Sequence, residues 1–169
     1  MSTPTKTYSL DFSNVKTYLF ATIFVIGNIL LPQVAHLIPQ GGLIFLPIYF
    51  FTLIASYKYG LHVGLLTAVL SPVINSLIFG MPPAVALPII LIKSILLAVA
   101  TAILAKSFGK ISLLAILLSV LSYQIVGTSL EWAMTQSFTA AVQDFKIGLP
   151  GILLQIVGGF VVLKALEKV

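Results

Sequence analysis

The 169-residue chain has no cysteine, no arginine and only four acidic residues. Without cysteine there is no disulfide, no thiolate metal site and no cysteine nucleophile. Charged residues make up 8% of the chain against 59% apolar ones, whereas an average soluble domain carries about 25% charge. So few charges cannot cover a water-facing surface, which excludes a soluble globule, a disordered chain and a nucleic-acid-binding domain. Catalytic constellations are missing as well. There is no HExxH or paired-His motif for a metal, no glycine-rich phosphate loop and no G-x-S-x-G elbow. Neither an enzyme nor a cofactor is expected.

What the chain does have is long apolar runs. A membrane core about 30 Å thick needs roughly 17–25 mainly apolar residues per helix. Breaks at Pro39–Gly42, Tyr57–Gly60, Gly80–Pro83, Lys106–Lys110 and Glu131–Lys146 divide the chain accordingly. The expected spans are Lys16–Leu37, Leu43–Tyr57, Leu61–Phe79, Ala84–Ala105, Ile111–Leu130 and Ile147–Leu166. Residues 1–14 form a polar N-terminal segment, expected to fray or lie along the surface, and 15–169 form a single all-α membrane domain. A β-barrel is excluded because the runs are apolar on both parities, not alternate. Six crossings with cytoplasmic N- and C-termini put Lys6, Lys16, Lys58, Lys106, Lys110, Lys164 and Lys168 inside and only Lys146 outside. That bias follows the positive-inside rule.

Lys93 lies about ten residues into the fourth expected span, near the membrane midplane. A cation at that depth is costly and marks a functional site by default. Its functional reading is a contact for an anionic ligand group such as a carboxylate; its structural reading is a lysine paired with a polar group inside the bundle. Gln33, His36, Asn75, Tyr123, Gln124 and Gln155 all fall in the outer halves of spans, and together they outline a pocket opening outward. Each could equally knit helices together. Trp132, the only tryptophan, is either an interfacial anchor or a wall for a ring-bearing ligand. Glu131 and Asp144 fall in the outer loop, Glu131 as a solvated acid or a partner for Lys146 or a ligand amine. The Gly80-Met81-Pro82-Pro83 corner is either a rigid wall of the site or a tight turn.

The order of these features resembles the substrate-binding S components of energy-coupling factor (ECF) vitamin transporters. Leu46-Pro47-Ile48-Tyr49-Phe50, followed by Tyr59-Gly60 and Gly64-Leu65-Leu66, is similar to their second-to-third-helix segment. Ser71-Pro72-Val73-Ile74-Asn75 with Gly80-Met81-Pro82-Pro83 is similar to their third helix and its outer loop. The run from Gly148 to Gln155 is similar to the start of their sixth helix. The resemblance implies a subunit of a prokaryotic plasma membrane that binds a vitamin or micronutrient from outside. It further implies a transmembrane coupling subunit and two cytoplasmic ATPases as partners, with lipid around the subunit and no nucleic acid. Family members often carry alanines four apart on the first helix, facing the coupling subunit; Ala21 and Val25 hold that spacing here. Two other readings stay open: a membrane scaffold of the cell-shape type, and a stand-alone facilitator. The facilitator is disfavoured because the inner halves of the spans are nearly all apolar.

Overall fold

A computed structural model describes residues 9–167, and among these every regular element is helical. Five helices are long and apolar enough to cross a membrane: α1 (Val15–Ala35), α4 (Leu61–Phe79), α5 (Leu87–Phe108), α6 (Leu113–Thr135), and a composite at Leu149–Leu166. The composite consists of α9 (Leu149–Leu153), a π-helical turn at Leu154–Gly158 and α10 (Gly159–Leu166). Short helices α7 (Phe138–Ala141) and α8 (Gln143–Lys146) lie between α6 and α9.

The second expected span differs from the rest. Leu43–Tyr57 is not one helix but three pieces: α2 (Gly41–Phe45), a 3₁₀ turn at Pro47–Tyr49, and α3 (Phe50–Tyr59). The break falls at Leu46, which adopts a left-handed conformation with φ 46° and ψ 46°. Pro47 causes it: proline lacks an N–H and disfavours right-handed helix at the preceding residue. At ten residues, α3 is about 15 Å long, too short to span alone. It survives because α1, α4, α5 and α10 pack around it, leaving residues 52–58 all buried.

A helix that begins inside a bundle has orphan backbone donors. Asn28, midway along α1, supplies one acceptor: Phe51 N donates to its Oδ1 at 3.1 Å. Its Nδ2 reaches Thr52 Oγ1 at 3.1 Å and Ser71 Oγ at 3.3 Å, joining α1, α3 and α4.

Other bonds place the ends of the elements. The Tyr57 hydroxyl donates to Lys110 O and accepts from Ser112 N, so the end of α3 meets the α5–α6 turn. Lys58 Nζ donates to Leu166 O at 3.0 Å, where a cation suits the C-terminal carbonyls of α10. Leu10 pairs with Tyr59 O and His62 Nδ1. The start of α1, the end of α3, the start of α4 and the end of α10 therefore share one end of the bundle, here called the base. Lys16, Lys58, Lys106, Lys110 and Lys164 gather there, at the basal ends of α1, α3, α5 and α10 and in the α5–α6 turn. Lys6 and Lys168 lie outside the described residues. Within residues 9–14 Leu10 is buried against the bundle and Asp11 O accepts from Thr17 Oγ1 at 2.6 Å; residues 1–8 lie outside the described residues.

Candidate functional site

The end opposite the base carries the polar chemistry. Lys93 is 3% exposed. Its ammonium donates to Glu131 Oε2 at 2.6 Å and Asp144 Oδ2 at 2.7 Å. Three elements meet at this nitrogen: α5 brings the lysine, α6 brings Glu131 and α8 brings Asp144. Gly127 of α6 makes room for the lysine stem; a Cβ there would come 2.6 Å from Lys93 Cγ.

Three expectations are corrected here. Lys93 lies six residues into α5, about 9 Å below its start, not near the middle, because the helix begins at Leu87. Glu131 is not a solvated loop acid; α6 runs on to Thr135 and carries Glu131 inside, in the ion triad. The functional reading of the ammonium, a contact for a ligand carboxylate, gives way here to the structural one, a lysine paired inside the bundle, since two of the chain's own carboxylates hold it. One signal was available in the sequence: Lys93 and Glu131 stand at similar distances from the short turn joining antiparallel α5 and α6.

The triad faces a cavity of about 200 Å³ whose wall includes Tyr49, Gln143 and Ile90. Glu131 and Asp144 keep 16% and 15% of their side-chain surface accessible. A second cavity of about 410 Å³ adjoins it, with Gly42, Leu43, Ile48, Ala86 and Ile90 common to both walls. Its lining is mostly apolar and includes Pro32, Pro47, Met81, Pro82 and Pro83, with His36 and Gln40 as polar members. The Gly80–Pro83 corner is thus a wall of a cavity.

Of the residues singled out from sequence, Lys93, Glu131, Asp144, His36 and the Met81-Pro82-Pro83 corner line these cavities. Tyr123 sits behind Tyr49, ring centroids 5.2 Å apart. Its hydroxyl donates to Gln155 Oε1 at 2.9 Å and accepts from Gln124 Nε2 at 3.2 Å. Gln124 Oε1 and Gln155 Nε2 are buried without a hydrogen-bond partner. Asn75 and Gln33 belong to the α1–α4 seam: Asn75 Nδ2 donates to Asn28 O at 2.9 Å, and Gln33 Nε2 to Asn75 Oδ1 at 3.5 Å. Trp132 is 52% exposed and packs edge-on against Phe138, with no share in either cavity wall. Sequence reasoning missed Tyr49, Gln143 and Gln40 as cavity residues.

Ala21 and Val25, expected on a partner interface, are 2% and 5% exposed. They face inward because α1 packs on α3 and α4 through that side. Tyr18, Leu19, Ile23, Ile26 and Leu30 form the exposed face of α1 instead.

At the base, a third cavity of about 520 Å³ is lined by His62, Ser56 and Lys106 among others. Fully buried Leu53, Ile54, Leu97, Ile116 and Val120 belong to the packed core of the bundle. Compared with protein-family models, characterised proteins and solved structures, the chain gives no match.

Proposed function

We propose that this protein is the non-catalytic solute-binding subunit of a multi-subunit importer in a prokaryotic plasma membrane, working as the S components it resembles do. It crosses the membrane six times, the broken segment Gly41–Tyr59 making the second crossing, and both ends are cytoplasmic. A small vitamin-like solute enters from outside and is handed to a transmembrane coupling subunit driven by two ATPases. One observation carries the reading: a polar cavity holding a buried ion triad adjoins an apolar cavity at one end of the bundle. Concave, mostly apolar sites with a few placed polar groups are the usual form of small-molecule pockets.

Two further features support it. The bundle between the two ends is packed, and its buried polar groups, such as Asn28, Thr52 and Ser71, hydrogen-bond one another, whereas a conducting path needs a water-filled polar lining along its length. A solute bound in the cavities therefore needs a partner to release it. The lysines at the base support the orientation through the positive-inside rule.

The test is a thermal-shift screen of the purified subunit against a vitamin panel, followed by uptake into vesicles. A ligand raises the unfolding midpoint by mass action, and uptake requires the coupling subunit and ATP. Flux through this chain alone overturns the reading in favour of a facilitator. No shift with any panel member, together with copurification of cell-wall machinery, favours the scaffold.

A further inference from the structure

We propose that the cavity at Lys93, Glu131 and Asp144 takes the positively charged head of its solute, an ammonium or amidinium group, while the body of the solute fills the adjoining proline-lined cavity. This names the charge class of the solute in the functional reading above and rests on that reading.

The charge count is the first argument. One ammonium faces two carboxylates, so the triad carries one excess negative charge. Among the described residues no second cation pairs with either acid. An unbalanced charge held away from water is unfavourable, and a cation supplied by a ligand restores the balance. An anionic head would instead meet the excess of its own sign, and like charges at close range oppose binding.

Access and acceptor capacity are the second argument. Both acids line the cavity and remain partly accessible from it. Each spends one oxygen on Lys93. The other oxygen of each makes no hydrogen bond among the described residues, and an ionised carboxylate accepts on both oxygens. Lys93 spends two of its three N–H donors on these oxygens, so it works as a positioning residue that holds both carboxylates at the cavity. Tyr49 in the same wall adds an aromatic surface of the kind that attracts cations. The adjoining cavity, with Pro47, Pro82, Pro83 and Ile48, suits the uncharged part of the same molecule.

The competing occupants of the same cavity are a neutral donor-rich solute and an anionic one. The experiment separates these cases. Purified protein in lipid nanodiscs is incubated with an aqueous metabolite extract of cultured cells, and retained compounds are identified by mass spectrometry. The parent protein is compared with Glu131→Gln and with Asp144→Asn. The expected result is a retained compound bearing an amine or amidine, held more than about tenfold more weakly by each variant. A second measurement needs no variant: the retained compound and its N-acetylated, uncharged derivative are titrated into the parent protein, and acetylation lowers affinity more than about tenfold. A retained carboxylate, a retained neutral solute, or an amine whose acetylated form binds equally well overturns the charge assignment and leaves the importer reading standing. If nothing is retained, both fall.

Discussion

Lys93 shows how a single residue can be legible in the sequence while its chemistry is not. Its isolation in an apolar run singles it out as a candidate, and it lines a cavity. Its partners could not be read, because Glu131 and Asp144 lie 38 and 51 residues away and come together only through packing of α5, α6 and α8. The energetics of such a cluster are asymmetric. Replacing the lysine strands two carboxylates without their cation, whereas replacing all three removes the desolvation cost together with the attraction. Lys93→Met is expected to destabilise the folded protein by about 3–5 kcal/mol, read as a fall in the unfolding midpoint in detergent. Lys93→Met combined with Glu131→Gln and Asp144→Asn recovers most of that loss. A triple variant as unstable as the single one contradicts this account. Asn28 teaches the same lesson: the sequence showed a polar residue in a span, and the structure shows a cap for a helix twenty-odd residues downstream.

Among the elements, four spans agree with single long helices to within a few residues at their ends, because a run of about twenty apolar residues permits little else in lipid. The second is not a single helix, a difference that hydropathy misses because it counts residues and does not register direction. Leu43–Tyr57 is apolar enough, yet Leu46-Pro47 turns the backbone and Asn28 satisfies a donor that the break frees. The final span also departs from a plain α-helix. Its π-helical turn at Leu154–Gly158 carries Gln155, which accepts from Tyr123; such turns often mark functional positions. The broken segment is held from the other side by Gly151 of α9, where an added Cβ would overlap the Phe45 carbonyl group. Gly151→Val is expected to cost about 1–3 kcal/mol or more by forcing α2 and α9 apart, with a matching drop in the unfolding midpoint. Gly109→Ala in the α5–α6 turn meets no neighbour within 4 Å, so its effect is confined to backbone strain at φ 61°.

For the whole molecule, orientation in the membrane is the property most open to direct test. Because the chain has no cysteine, single cysteines report position cleanly. Cysteine at Val85 or Gln136, both on the cavity side, is expected to react with an impermeant thiol reagent in intact cells. Cysteine at Lys110, at the base, is expected to react only after permeabilisation, and the opposite pattern would invert the proposed topology. Composition and run length by themselves determined an all-helical protein with several helices long and apolar enough to cross a membrane, since both follow from local free energies of transfer that need no knowledge of neighbours. Only the tertiary structure decided that the second segment breaks, that Ala21 and Val25 face inward, and that Lys93 is already paired. Those outcomes depend on which side chains meet across the bundle, and contacts between residues distant in the chain are set by packing, not by hydropathy.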